Sequence, residues 1–121
     1  MSLPLTKETL AAAYDYLHST PPFSRWNLPD SEDVVFKLSR RSREYGRYQW
    51  DGERHTITAS VHGMSHTITL MRFMAHEMVH LYLEKMGWES RAHSEEVHNH
   101  AFRKFATQVC KHHGFDPKAF Y

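Results

Sequence analysis

Residues 73–87, FMAHEMVHLYLEKMG, hold His76, Glu77 and His80 in the order H-E-x-x-H. Two imidazoles four residues apart, with a carboxylate beside the first, are the tools of metal-assisted hydrolysis. The histidines would ligate zinc and the glutamate would work on the water without ligating the metal. The spacing needs a helix. Four helical residues turn through about 400°, so His76 and His80 project within about 40° of each other. Phe73 and Leu83 or Glu84 share that face, which therefore points inward. Three polar groups on an inward face are costly to bury unless something satisfies them, and a zinc ion satisfies all three. The plainer reading is two core histidines bonded to backbone. In a chain with 11 histidines the motif alone does not decide, so its surroundings must.

A catalytic zinc takes three protein ligands and keeps one position open. Downstream candidates are His93, Glu95, Glu96, His98 and His100. Phe102, Phe105 and Val109 recur at i, i+3 and i+7, the buried stripe of a helix. Four residues before Phe102 stands His98, in register with that stripe at its amino-terminal end. His100 lies about 200° round from His98 and faces solvent. Glu95 shares the face of His98, and His93 lies in a loop, so both stay open as alternatives to His98.

The elements that must position these groups can be read in order. Residues 6–18 form a helix with Thr6 as N-cap and Leu10, Ala13, Tyr14 and Leu17 on its apolar face. Pro21 and Pro22 end it. Residues 19–33 form a loop pinned by Phe23, Trp26 and Leu28. Residues 34–39, 45–50 and 53–60 read as three antiparallel strands, the last two a hairpin turned at Asp51-Gly52. Residues 67–86 form the H-E-x-x-H helix, with Gly87 past its end. A last helix is capped by Ser94 and runs to about His113, Gly114 stops it, and 115–121 make a short tail. The expectation is an α+β fold forming one domain over 1–121, with its core at about 6–113.

Composition bounds the function classes. A net charge of +1 gives no global basic field for nucleic acid. The single cysteine, Cys110, excludes an internal disulfide framework and a Cys-based zinc finger, and points to a reducing compartment. The first residues lack the pattern of a signal peptide, and no stretch approaches 18 apolar residues in a row. A cytoplasmic monomer is the expectation.

The sequence H-E-M-V-H, followed after about 18 residues by His98-Asn-His-Ala-Phe102, resembles the SprT-like family, which includes the Spartan proteases. That family carries H-E-M-[IV]-H and later H-G-x-x-F, and the order of elements also fits. The resemblance implies a small zincin-like metallopeptidase with zinc on His76, His80 and His98 and Glu77 as the catalytic residue. It also implies action on protein or peptide substrates, including proteins attached to DNA. Asn99 stands where the family often has Gly, and the Cys-rich ribbon of many members is missing here. The longer pattern H-E-x-x-H-x-x-G-x-x-H fails, because Leu83 and Met86 occupy its Gly and His positions.

Two rival readings remain at this stage: a catalytically silent metal-binding adaptor, and a weak nucleic-acid-binding domain using Arg40, Arg41, Arg43, Arg47 and Arg54. The plain reading of those arginines is a solvated hairpin edge. Tyr45, Tyr48, Trp50 and Tyr82 read as core and hairpin surface, and His62 and His66 as loop histidines. Met64, Met71, Met74, Met78 and Met86 read as core filler around the motif helix. Cys110 reads as a small inert core residue. His93, His66 and Tyr82 are candidates for the oxyanion donor.

Overall fold

A computed structural model describes residues 5–40, 46–62, 67–88 and 100–120. Helix α1 (Lys7–His18) opens on Thr6, whose Oγ1 accepts from the Thr9 amide at 3.1 Å. That bond satisfies one of the amides that a helix start leaves open, a contribution of about 1 kcal/mol. Leu10, Ala13, Tyr14 and Leu17 are the residues it buries, as their spacing requires. The Tyr14 hydroxyl donates to the Pro29 carbonyl at 2.5 Å, and burial pushes its pKa up. This bond ties the loop to α1, and Phe23, Trp26 and Leu28 in that loop are buried.

The sheet holds β1 (Val34–Ser39), β2 (Gly46–Trp50) and β3 (His55–Ser60) in the order β1-β3-β2. The hairpin of β2 and β3 is present, antiparallel, with Trp50 opposite His55. Asp51 builds its turn by accepting from the Glu53 and Arg54 amides at 2.8 and 2.7 Å, which holds its carboxyl below the usual range. The expected all-antiparallel sheet is corrected: β1 pairs with β3 in parallel, Val34 opposite His55 through Ser39 opposite Ser60. The cause is burial. β3 carries Ile57 and Ala59, both fully enclosed, so it takes the centre. The half-exposed β2 takes an edge, so β1 and β2, consecutive in the chain, are not neighbours in the sheet.

Helix α2 (Thr67–Met86) lies against α1, β2 and the two helices that follow it, and buries nine residues from Leu70 to Leu83. Gly87 follows at φ 76°, the left-handed turn that ends the helix. Helix α3 (His100–His113) buries Phe102, Ala106, Val109 and Cys110, with Phe105 half-buried. The expected start of this helix at Ser94 lies outside the described residues. The expected tail is corrected in part: Pro117–Phe120 forms a one-turn helix, α4, and Phe115 and Phe120 are buried. Met74 and Met78 are core residues as expected, whereas Met86 is exposed, and Met64 lies outside the described residues. Among the described residues no helix is long and apolar enough to cross a membrane.

Candidate metal centre

Helix α2 brings His76 and His80 to one side, as the four-residue spacing demands, with ring centroids 5.0 Å apart. Phe102 of α3 packs against both rings, at 5.0 Å from His76 and 4.5 Å from His80. The His76 ring is fixed from its other edge: Nδ1 lies 2.6 Å from the Phe120 carbonyl of α4. A carbonyl only accepts, so Nδ1 carries the proton and the neutral ring keeps its lone pair on Nε2. Metal-ligating histidines are held in this way, with the remote nitrogen donating to a carbonyl or carboxylate. Both histidines are half-buried, and Glu77 is 6 % exposed.

His76 and Glu77 open on a cleft of about 200 Å³, lined also by Gly46, Thr69, Arg72, Phe73, Ala119 and Phe120. Gly46 is required at its place. Its φ is 149°, and a Cβ there would fall 1.9 Å from the Thr58 carbonyl oxygen and 2.8 Å from the Phe73 ring. The edge strand β2 can approach α2 because this residue has no side chain.

The donor set suits zinc: two imidazoles on one helix face, one with its Nε2 left unprotonated, and a carboxylate that opens with His76 on the cleft. His98, Glu95, Glu96 and His93, the candidates for a third ligand, lie outside the described residues. Among the described residues no three His, Cys, Asp or Glu groups gather as a metal site. His100 is exposed at the start of α3, as its register predicts.

Residues of lesser promise fall where their plain reading puts them. Tyr82 stacks on Trp26 at 4.3 Å, in a cluster with Phe105. The Tyr48 hydroxyl lies 2.6 Å from His55 Nδ1, and Trp50 packs on the same imidazole. His62 is exposed, and His66 and Tyr45 lie outside the described residues. Burial, then the adjacent Asp116, push the Cys110 thiol up, in keeping with an inert core residue. Of the arginine set, Arg40, Arg47 and Arg54 are among the described residues. Arg40 follows β1 and Arg54 precedes β3, and because those strands are parallel the two sit at opposite ends of the sheet. Arg47 pairs with Thr58 between them, and Arg41 and Arg43 lie outside the described residues.

Among the contributions to the site that escape sequence reasoning are Arg72, Gly46 and the Phe120 carbonyl. Arg72 carried a usable signal, because it stands four before His76 and so shares its face. Gly46 and Phe120 are distant in sequence and carried none.

The chain belongs to the SprT-like family, whose sequence profile matches residues 14–119. No curated protein matches it. Membership is consistent with a metallopeptidase-like domain, and the matched span holds the H-E-x-x-H helix and all of the cleft lining but Phe120.

Proposed function

We propose that this protein is a zinc-dependent peptidase of zincin-like architecture, acting on protein or peptide chains. The observation that carries the reading is the joint placement of His76, with its ring oriented by Phe120, and Glu77, both facing one cleft beside His80. His76, His80 and His98 would hold the metal. When bound, zinc supplies Lewis acidity that polarises the scissile carbonyl and makes water easier to deprotonate. Glu77 accepts the proton of the attacking water on its carboxylate and delivers it to the leaving amine. Its near-complete burial keeps bulk water from competing for that proton. The Phe120 carbonyl keeps the His76 ring in one tautomer and one orientation. The edge strand β2 gives an extended substrate a backbone to pair with beside the cleft, a mode tolerant of sequence.

The test is metal analysis joined to one substitution. Purified protein should carry about one zinc per chain, the stoichiometry of a mononuclear site. Glu77→Gln should keep the metal and the fold and lose peptide hydrolysis by about two to four orders of magnitude. Unchanged hydrolysis after zinc depletion would overturn the proposal. Recruitment by weak non-specific DNA contact through Arg40, Arg41, Arg43, Arg47 and Arg54 is a separate proposal, tested by a low-salt polarisation titration with these arginines reversed to Glu.

A further inference from the structure

Thr69, Arg72, Phe73 and His76 follow at i, i+3, i+4 and i+7 along α2, so a single stripe of the helix faces the cleft. The stripe combines one metal-ligand candidate with one permanent cation. Arg72 is half-buried, and among the described residues none forms an ion pair or hydrogen bond with its guanidinium. Glu77 is the carboxylate in the lining, but it lies five residues on, about 140° round the helix from Arg72, and has an interaction of its own. Of the ligand groups that could replace water at a guanidinium lining a cleft, the one its planar fork fits best is a carboxylate held by two parallel hydrogen bonds.

Position along the helix sets where that carboxylate sits. Arg72 lies one turn before His76, about 6 Å along the axis. An extended peptide covers that distance in about two residues. Thr69, about one turn before Arg72, also lines the cleft. Phe73, Ala119 and Phe120 supply apolar walls that favour a short, defined occupant.

We propose that Arg72 recognises a carboxylate within about two residues of the peptide bond presented to His76 and Glu77, which makes acid-bearing peptides the preferred substrates. This rests on the peptidase reading above. The carboxylate has two possible sources, the α-carboxylate of a chain terminus or an Asp or Glu side chain. The first would make the enzyme a trimmer of carboxyl termini, and the second an endopeptidase selective for acidic segments.

The experiment uses fluorescein-labelled peptides in matched pairs: free acid against amide at the carboxyl terminus, and Asp against Asn at successive internal positions. Binding is read by anisotropy on zinc-loaded Glu77→Gln protein, with and without Arg72→Gln, so that no turnover is needed. Hydrolysis is read separately on the wild type and on Arg72→Gln. The acid member of one pair should bind roughly ten- to a hundredfold better, the scale of a charge-assisted bidentate contact, and the ratio should fall toward one in Arg72→Gln. Preference within the terminal pair identifies an α-carboxylate, and preference within an internal pair identifies a side chain. Arg72→Lys keeps the charge without the fork and should retain part of the ratio, which separates recognition from loss of fold. No acid preference in any pair, or a preference that survives Arg72→Gln, overturns the proposal. Selective binding without hydrolysis by the wild type would instead defeat the peptidase reading and leave Arg72 as a carboxylate site.

Discussion

The Nδ1–H of His76 donates to the Phe120 carbonyl at 2.6 Å, joining the first histidine of the motif to a residue 44 positions further on. The Phe120 ring, 2 % exposed, also packs on the His76 ring with centroids 5.4 Å apart. A segment that reads as a tail is therefore part of the site.

Ending the chain at Asp116 removes both the carbonyl and the ring. Zinc affinity should fall about 10- to 100-fold, the usual consequence of losing a group that orients a ligand. Phe120→Ala keeps the carbonyl, so its affinity loss should be smaller, while burial of the lost ring predicts about 3–5 kcal/mol of destabilisation. Chelator competition measures the first and urea unfolding the second. Equal zinc affinity in the shortened and full-length chains would show that the hydrogen bond does not tune the ligand.

Gly46 sets the distance between the edge strand and the motif helix. Gly46→Ala places a Cβ against the Thr58 carbonyl and the Phe73 ring at a φ that side chains rarely adopt. The clash and the backbone strain together predict a loss on the order of 2–4 kcal/mol. Because Gly46 also lines the cleft, peptide affinity should drop in the same variant. Unfolding midpoints unchanged from the wild type would mean that β2 shifts freely and does not define the cleft wall.

The local elements were legible because their signals are local. Thr6, the apolar positions of α1, the Asp51-Gly52 turn and the glycines at 87 and 114 act within a few residues of themselves, and each lies where its chemistry predicts. The pairing of β1 was not legible. Sequence order favours neighbours in the chain, whereas the choice of β3 as the central strand follows from how deeply Ile57 and Ala59 are enclosed. The same limit applies to the site. His76, Glu77 and His80 share one helix and declare themselves by spacing, but the orientation of the His76 ring comes from Phe120, which no periodicity links to it.

His113 makes stability depend on pH. Its Nε2 lies 3.0 Å from Thr20 Oγ1, and its ring packs between Phe23 and Phe115. Burial lowers its pKa, opposed by a hydrogen bond to Pro21, with the charge of His112 lowering it further. The unfolded chain, titrating near the ordinary histidine value of about 6.5, then binds the proton before the folded chain does. Stability from this group is complete above about pH 6.5 and declines as pH falls from there toward the lower folded value. Urea midpoints between pH 7.5 and 5.5 should therefore fall less steeply in His113→Gln than in the wild type. Parallel profiles would assign the acid sensitivity to other groups, among them His55, whose pKa is also lowered, by burial and then by Lys85.

The proposed third ligand, His98, gives the sharpest test of the proposed metal site. Phe102 is fully buried and packs against both His76 and His80, so its face of α3 is the one turned toward the imidazole pair. Counting four residues back from Phe102 in the sequence selects His98, which lies outside the described residues, while His100 is exposed. His98→Ala should lose most of the zinc, and His100→Ala should keep it. Removing one of three ligands from such a site also removes the stabilisation that bound metal gives the folded state, so the melting temperature of His98→Ala should no longer respond to added zinc. Zinc content by elemental analysis and melting with and without zinc read the two consequences independently. If His98→Ala retains its zinc and Glu95→Gln loses it, the third ligand is the carboxylate, and the site is of the two-histidine, one-glutamate kind. If zinc is lost from His93→Ala alone, the ligand comes from the segment before the last helix, and the register of Phe102 does not govern the site.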